Sequence, residues 1–278
     1  MATSTQCSEG FSPFIKNVTN IKGVLLDITG VLYNSAQGGG HAIEGSVEAV
    51  KRLRKAGLPV RFCTNETQCT TKAIVEKLQR LGFELTESEV FPPIPAVCSL
   101  MKARALRPHI LAHPASLSDF SEIDQTNPNC VVVGDAADMF TYHNLNKAFR
   151  ILISMETPVL FSLGQGKFYR EDDELSLDVG AFVKALEYAC DVQAEVVGKP
   201  SKTFFNTALQ DMNVSPENAV MVGDDILNDV GGAQKCGMYG IQVRTGKFRP
   251  QDEHHPQVTP DAVVDNLAAA VDLLLTHR

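Results

Sequence analysis

The chain has 278 residues, of which 44% are apolar and 21% charged, a composition that suits one large or two smaller folded domains and argues against global disorder. The formal net charge is −8 and no cluster of Lys and Arg is present, which argues against binding to nucleic acid. Seven scattered cysteines without a CxxC pair disfavour a disulfide framework or a zinc site. No apolar run approaches the roughly 18 residues of a membrane span, and the first 14 residues, which lack a secretory signal pattern, are interpreted as a loose leader. We therefore expect a cytoplasmic protein that does not bind membranes.

The first part of the chain alternates strands with helices. The apolar run Val24–Leu26 predicts a buried strand that stops at Asp27. A helix is predicted over residues 46–57, followed by a strand over Pro59–Cys63 and a second helix that ends at Gly82. Strands and helices in this order, joined by short connections, predict a βαβ unit of a parallel sheet.

From about Phe91 a proline-rich stretch separates a middle section with its own alternation of helices and strands. The predicted elements are a helix over Ala96–Ala105, a strand over His109–Ala112, a strand over Cys130–Gly134, a helix over Tyr142–Ser154, a strand over Val159–Leu163, a turn over residues 164–172 and a helix over Gly180–Cys190. We interpret this section as a second domain inserted into the first, with the core formed by residues 1–94 and 193–278 and the inserted domain by residues 95–192.

The last part returns to the pattern of the first. The predicted elements are a short strand over Glu195–Val197, a helix over Thr203–Asn213, a strand over Ala219–Val222, a helix that ends at Gly237, a strand over Gly240–Val243, a Pro- and His-rich loop over residues 248–260 and a helix over Leu267–His277. The whole pattern predicts the α/β class, with a Rossmann-like parallel-sheet core domain and an inserted α/β cap domain.

Polar residues follow four of the predicted strands, where a parallel sheet would gather them at one edge. They are Asp27 and Thr29, then Thr64 and Asn65, then Lys199, and finally Asp224, Asp225 and Asp229. Carboxylates packed so closely repel one another unless a cation lies between them, and the lack of Cys and His among them favours Mg²⁺ over zinc. Lys199 and the two threonine hydroxyls provide a point charge and donors for phosphoryl oxygens. The set favours phosphoryl transfer with an Asp nucleophile.

These residues resemble the four motifs of the haloacid dehalogenase-like phosphohydrolases: DITGVL from Asp27, Thr64-Asn65, Gly198-Lys199-Pro200, and Gly223-Asp224 with Asp229. The GKP form and the inserted section resemble the branch with a large α/β cap, which includes pyridoxal phosphate and nitrophenyl phosphatases. The resemblance implies that Asp27 is the nucleophile. It also implies that Mg²⁺ is held by Asp27, the main-chain carbonyl of Thr29 and Asp224, while Asp229 and Asp225 lie behind these ligands without binding the ion. It implies substrate contacts from Asp27, Ile28, Thr29, Thr64, Asn65 and Lys199. It also implies a homodimer, with a nuclear location in addition to a cytoplasmic one.

One position departs from that pattern. Most phosphatases that the chain resembles carry a second Asp two residues after the nucleophile, as general acid for the leaving group, and here that residue is Thr29. General acid–base help is typically worth a factor of 10²–10⁴. Pyrophosphate bound to Mg²⁺, or a P–N nitrogen protonated by solvent, leaves without that help, whereas an alkoxide does not. The sequence therefore favours P–O–P and P–N substrates, on small molecules or exposed phosphorylated side chains, hydrolysed through an aspartyl-phosphate.

Other interpretations remain beside this one. A phosphomonoesterase of the same branch and a phosphate-binding regulator without turnover are the competing functions, whereas a dinucleotide-binding oxidoreductase is disfavoured because no GxGxxG follows the first strand. Asp225 is better explained as a helix cap than as a ligand, and His254-His255 as solvated loop histidines. Cys63 is better explained as a small buried residue, and Asp178 is a candidate substrate contact from the inserted section.

Overall fold

A computed structural model describes residues 18–36, 38–171 and 174–276, so the predicted leader lies outside the described residues. In chain order the strands are β1 (Gly23–Asp27), β2 (Tyr33–Asn34), β3 (His41–Ala42), β4 (Val60–Cys63), β5 (Val90–Phe91), β6 (Pro108–Leu111), β7 (Cys130–Val133), β8 (Leu160–Ser162), β9 (Phe168–Glu171), β10 (Glu174–Leu177), β11 (Glu195–Val196), β12 (Ala219–Gly223), β13 (Tyr239–Val243) and β14 (Ala262–Val264). The α-helices are α1 (Ser46–Lys55), α2 (Thr71–Arg80), α3 (Pro93–Ala103), α4 (Tyr142–Ile153), α5 (Val179–Cys190), α6 (Lys202–Met212), α7 (Gly232–Lys235) and α8 (Leu267–Thr276). A π-helix spans Ile226–Gly231, directly before α7.

The core sheet has six parallel strands in the order β14-β13-β12-β1-β4-β5. Its central strands β1 and β12 are buried over their whole length, as expected for parallel strands covered on both faces. Val24 and Leu26 pack on one face with residues of α1, α2 and α8, whereas Leu25 packs on the other with residues of α6. The predicted α/β fold with a parallel-sheet core is confirmed.

A second sheet, with the parallel order β11-β8-β7-β6, lies outside the core sheet. Helices α4 and α5 cover one face of it and α3 covers the other. The antiparallel hairpin β9–β10 joins β8 to α5. We call this sheet, its three helices and the hairpin the cap module.

Strand β11 corrects one prediction about the core. The sequence analysis placed Glu195–Val197 in the core, with Lys199 at the end of a core strand, but Glu195 and Val196 pair with Phe161 and Ser162 of β8. The prediction that this strand belongs to the core sheet is therefore wrong. A two-residue strand carries no hydrophobic period that could tell one sheet from another.

Several short elements also differ from the predictions. The turn predicted over residues 164–172 contains β9, and β5 and β14 were not predicted. The helix predicted after Asp229 is instead the π-helix followed by the single turn of α7, and the Pro- and His-rich loop holds a 3₁₀ turn over Pro250–His254. Edge strands of two or three residues form because a neighbouring strand offers hydrogen bonds, a signal that local sequence does not contain. Among the described helices, none is both long and apolar enough to cross a membrane.

Candidate active site

The buried core strands β1 and β12 end side by side at one edge of the core sheet, where acidic residues converge. Asp27 is the last residue of β1, Asp224 follows β12, and Asp229 lies one turn further on in the π-helix. Each offers a carboxylate oxygen within 4.8 Å of the others, and all three side chains are buried. The structure therefore brings together the carboxylates that the sequence analysis expected at this edge. We call these three residues and Lys199 the strand-tip cluster.

Lys199 supplies the positive charge within this cluster. Its ammonium nitrogen lies 2.5 Å from Asp27 Oδ1 and 2.7 Å from Asp229 Oδ1, and it donates a hydrogen bond to the Cys63 carbonyl at 3.0 Å. Burial opposes the charge of this side chain, which is 3% exposed, but the two carboxylates outweigh burial and raise the pKa of Lys199. Lys199 is thus a permanent cation held beside Asp27.

Asn65 holds the main chain of Lys199 in place. Asn65 Nδ2 donates to the Lys199 carbonyl at 2.8 Å, and the Lys199 amide donates to Asn65 Oδ1 at the same distance. This pair ties the loop after β11 of the cap module to the loop after β4 of the core. The side chain of Asn65 therefore positions Lys199, and the predicted contact of Asn65 with a phosphoryl group stays a prediction.

Asp224 is held by a close approach of two backbone segments. The Lys247 amide donates to Asp224 Oδ2 at 2.8 Å, and a Cβ atom on Gly30 or Gly246 would lie 2.1 or 2.0 Å from that oxygen, so only glycine fits at either position. The other oxygen, Asp224 Oδ1, is buried and has no hydrogen-bond partner within the described part of the chain.

Burial and neighbouring carboxylates disfavour a negative charge on Asp224. Burial raises the pKa of Asp224 well above its usual range, Lys247 lowers it, and the neighbouring carboxylates of Asp27 and Asp229 raise it further. Burial, followed by the charge of Asp27, likewise raises the pKa of Asp229 to about 7. Hard oxygen donors, one of them without a partner, are the chemistry that a divalent cation such as Mg²⁺ satisfies.

Asp225 has a structural role at the start of the π-helix. Its Oδ1 accepts hydrogen bonds from the amides of Leu227 and Asn228, both at 2.9 Å, which confirms the capping interpretation. Its Oδ2 lies 2.9 Å from Lys247 Nζ. Burial opposes ionisation of Asp225, but Lys247 and the hydrogen-bond donors prevail and lower its pKa.

The Asp225 amide in turn donates to Asp229 Oδ2 at 3.1 Å. Asp229 therefore bridges this amide and the Lys199 ammonium, and these two contacts orient the Asp229 carboxylate behind Asp27.

Lys247 was missed by the sequence analysis. The sequence signal that could have identified Lys247 is its position, because Gly246-Lys247 follows soon after β13, another parallel strand that ends at the same sheet edge.

The remaining predicted residues surround the cluster. Thr64 is buried, and its hydroxyl accepts a hydrogen bond from the Glu66 amide at 3.0 Å. Thr29 donates its hydroxyl to Tyr33 Oη at 3.3 Å. The Ile28 side chain packs in the hydrophobic core, so any substrate contact from Ile28 must use its main chain. Burial raises the pKa of the Cys63 thiol to about 12, in keeping with a small buried residue.

A cavity of about 630 Å³ opens above the strand-tip cluster, between the core sheet and the cap module. Asp27, Lys199 and Asp224 line it from the core, and the cap module contributes residues that include Asp135 and Asp178. Asp178 therefore faces the same space as the predicted nucleophile, as expected of a cap contact. Neither His254 nor His255 lines this cavity.

Comparison with known proteins agrees with this geometry. A family model described as haloacid dehalogenase-like hydrolase matches residues 24–139, and a second, described as HAD-hydrolase-like, matches residues 196–270. A Danio rerio protein named phospholysine phosphohistidine inorganic pyrophosphate phosphatase is 61% identical over 265 residues, which cover 95% of this chain and 97% of that protein. The chain belongs to the haloacid dehalogenase-like hydrolase family. The predicted family is thereby confirmed.

Further matches extend the comparison. The Homo sapiens protein of the same name is 58% identical over 266 residues, 96% of this chain and 98% of that one. The crystal structure of a 4-nitrophenylphosphatase from Thermotoga maritima has a TM-score of 0.80 at 24% identity, covering 92% of this chain and 98% of that one. The crystal structure of a glycerol phosphate phosphatase from Mycobacterium tuberculosis, in complex with magnesium, has a TM-score of 0.76 at 19% identity. The match covers 91% of this chain and 77% of that one. The two structures share the fold of this family member.

Proposed function

We propose that this protein is a Mg²⁺-dependent phosphatase that hydrolyses the P–N bonds of phosphohistidine, phospholysine and imidodiphosphate, and also inorganic pyrophosphate. The observation that carries the proposal is the strand-tip cluster, in which a buried lysine lies 2.5 Å from the carboxylate at the end of β1, and a second buried carboxylate has an oxygen with no hydrogen-bond partner among the described residues. The shared name of relatives that are 58% and 61% identical along nearly the whole chain supports the substrate class.

Asp27 is the nucleophile in this proposal. Its carboxylate attacks phosphorus and forms an aspartyl-phosphate as the bond from phosphorus to the leaving group breaks. Lys199 pairs with Asp27 before the reaction and neutralises oxygens of the phosphoryl group as it arrives, while the Thr64 hydroxyl donates to another oxygen. Water then hydrolyses the aspartyl-phosphate and restores Asp27.

The donor set fits Mg²⁺, which phosphatases of this family generally use. Asp27, the main-chain carbonyl of Thr29 and Asp224 would hold the ion, and Asp224 Oδ1 would gain the partner that it lacks. When bound, the ion supplies positive charge that offsets the negative charge of the phosphoryl oxygens. Asp229 and Asp225 would not bind it directly, because the first pairs with Lys199 and the second caps the π-helix.

Thr29 supports the preference for P–N and P–O–P bonds. A threonine hydroxyl cannot act as general acid at neutral pH, and the hydroxyl of Thr29 is donated to Tyr33. A leaving group that departs without a proton from that position, such as phosphate or a nitrogen already protonated, is therefore favoured over an alkoxide. The roof of the cavity in the cap module limits substrates to small molecules or exposed phosphorylated side chains. The homodimer and the nuclear location remain predictions from the resemblance, and the cytoplasmic location remains a prediction from the sequence.

The test is phosphate release from pyrophosphate, phosphohistidine and a simple alkyl phosphate, each with Mg²⁺ and with EDTA. We expect Mg²⁺-dependent release from the first two and much slower release from the third. Preferred turnover of the alkyl phosphate would favour a phosphomonoesterase, for example one acting on pyridoxal phosphate. Tight Mg²⁺-dependent phosphate binding with no release from any compound would favour a regulator without turnover.

A further inference from the structure

Carboxylates line the cavity above the strand-tip cluster on both of its sides. At the core edge three cationic side chains offset four carboxylates; the cations are Lys199, Arg244 and Lys247, and the carboxylates are those of Asp27, Asp224, Asp225 and Asp229. On the opposite side, the cavity is lined by one guanidinium, from Arg170, and by four carboxylates, from Glu66, Asp135, Glu171 and Asp178. We call Glu66, Asp135 and Asp178 the acidic wall. A phosphorylated substrate with its phosphoryl group at Asp27 therefore presents its leaving group to a region of net negative charge.

Asp178 is fixed in this wall by local structure. It caps α5, with Oδ1 accepting a hydrogen bond from the Val179 amide at 2.6 Å. Its second oxygen packs against Gly166 so closely that a Cβ atom there would lie 1.8 Å from Asp178 Oδ2. The Asp178 amide also donates to the Lys167 carbonyl at 3.2 Å, which joins the two ends of the β9–β10 hairpin. The glycine at position 166 thus leaves room for a carboxylate oxygen on the cavity side of the hairpin.

Glu66 reaches the same space from the loop after β4. Its Oε1 accepts a hydrogen bond from the Gln68 amide at 2.6 Å. The side chain of Gln68 donates to Asp135 Oδ2 at 2.7 Å, and Asp135 Oδ1 accepts from the Ala137 amide at 3.0 Å. Asp135 therefore has both oxygens bonded to protein donors, and Glu66 and Asp178 each have one oxygen bonded to a backbone amide.

The acidic residues of this wall disfavour one another's charge. Burial raises the pKa of Glu66, the Gln68 amide and Lys77 lower it, and the charges of Asp135 and Asp178 raise it. Burial also raises the pKa of Asp178, Lys247 and the Val179 amide lower it, and Asp135 is again among the charges that raise it. A cation placed between such carboxylates relieves their repulsion, and an anion placed there increases it.

We propose that Glu66 and Asp178 bind the leaving group, accept hydrogen bonds from its N–H groups, and so select cationic nitrogen leaving groups over anionic phosphate. This inference rests on the proposed function, in which P–N compounds and pyrophosphate are both substrates and differ in the charge of the leaving group. The leaving group of phospholysine is an amine that carries a positive charge once protonated, and the imidazole of phosphohistidine can carry a proton on its second nitrogen. The leaving group of pyrophosphate is phosphate, which has no N–H group and a negative charge.

The experiment compares kcat/KM for phosphohistidine and phospholysine with kcat/KM for pyrophosphate, in Mg²⁺, for wild type, Glu66→Gln and Asp178→Asn. Gln and Asn keep the bonded oxygens, and Asn is as good a helix cap as Asp, so these variants should fold. We expect each variant to lose about 10- to 100-fold on the P–N substrates, the range for a hydrogen bond to a charged group. Activity on pyrophosphate should stay unchanged or rise.

Glu174→Gln is the matched control, because Glu174 is an exposed residue of the same hairpin that does not line the cavity. It removes the same charge and should leave the ratio of the two activities unchanged. A second readout is inhibition by n-butylamine and imidazole, as free leaving-group analogues, which should weaken in Asp178→Asn.

The outcomes separate this inference from the proposed function. If the wild type releases phosphate from both substrate types and the ratio does not change in Glu66→Gln and Asp178→Asn, the proposed function stands and the leaving-group inference is wrong. Equal losses on both substrate types would also overturn the inference. If the wild type releases phosphate from neither type, the proposed function itself is wrong, and the inference fails with it.

Discussion

The strand-tip cluster and the acidic wall face each other across one cavity, yet they are built differently. In the cluster every residue is at most 7% exposed, and Lys199 pairs with two carboxylates at 2.5 and 2.7 Å. In the wall, Glu66 and Asp178 are only partly buried, and each has one oxygen bonded to a backbone amide. The transferred phosphoryl group is the same in every substrate, whereas the leaving group differs. In our proposals the sheet edge carries out the step common to all substrates, and the loops and the hairpin opposite it add a second source of selectivity to Thr29.

The sharpest test of the cluster is Asp27→Asn. Loss of the nucleophile should reduce phosphate release from every substrate by about 10⁴-fold or more. Because Lys199 keeps Asp229 as a partner, the free energy of unfolding should change by no more than about 2 kcal/mol. Steady-state phosphate release and urea unfolding measure the two effects. A folded variant that keeps more than a few per cent of its activity would remove Asp27 from this role.

Thr29→Asp tests whether selectivity also depends on the core side of the cavity. A carboxyl group there could protonate an alkoxide, so turnover of an alkyl phosphate relative to imidodiphosphate should rise by about 10²-fold, up to the 10⁴-fold limit of general acid catalysis. The measurement is the ratio of the two kcat/KM values, and Thr29→Asn is the control without an acid. An unchanged ratio in Thr29→Asp would show that leaving-group protonation does not select the substrate.

Gly246→Ala tests how far the cluster depends on close backbone packing. The new Cβ would lie 2.0 Å from Asp224 Oδ2, so Asp224 must move, and the Mg²⁺ concentration for half-maximal activity should rise by about 10- to 100-fold. Gly57→Ala is the matched control, because Gly57 also has a positive φ but no atom of the described residues within 4 Å of the added Cβ. A response to Mg²⁺ that is the same in both variants would contradict the role given to Asp224.

Asn65→Ala should have the smallest effect. It removes two hydrogen bonds to the Lys199 main chain and leaves the ammonium and its carboxylate partners in place. We expect a loss in kcat of roughly tenfold with a smaller change in KM. The split between the two constants distinguishes positioning of Lys199 from direct substrate binding, since a dominant rise in KM would instead favour a phosphoryl contact by Asn65.

The core strands were predictable because their sequences carry the signal themselves. Val24–Leu26 and Ala219–Val222 are apolar runs followed within two residues by an Asp, which is how a buried parallel strand ends at the edge of its sheet. The carboxylates beyond them could be placed at one edge for the same reason. Asp225 was rightly expected to cap a helix, because Asp at the start of a helical segment has this role by short-range geometry.

The predictions failed where a contact joins distant parts of the chain. Lys199 was expected at the tip of a core strand, but β11 belongs to the cap sheet, and Asn65 holds the main chain of Lys199 beside the core. Lys247 and Glu66 follow strands as Lys199 and Thr64 do, but nothing in their local sequence distinguishes them from other charged loop residues. Their importance depends on which groups lie opposite them, which is a tertiary property.

By itself the sequence determined the fold class, the family motifs and the identity of the acidic residues, since hydrophobic period and residue type act over short distances. Only the tertiary structure shows that Lys199 lies between Asp27 and Asp229, that one oxygen of Asp224 has no partner in the described ranges of the chain, and that Glu66 and Asp178 face the same cavity. Asp27 and Lys199 lie more than a hundred residues apart along the chain, as do Glu66 and Asp178, and electrostatic interactions depend on distances in space, which packing sets.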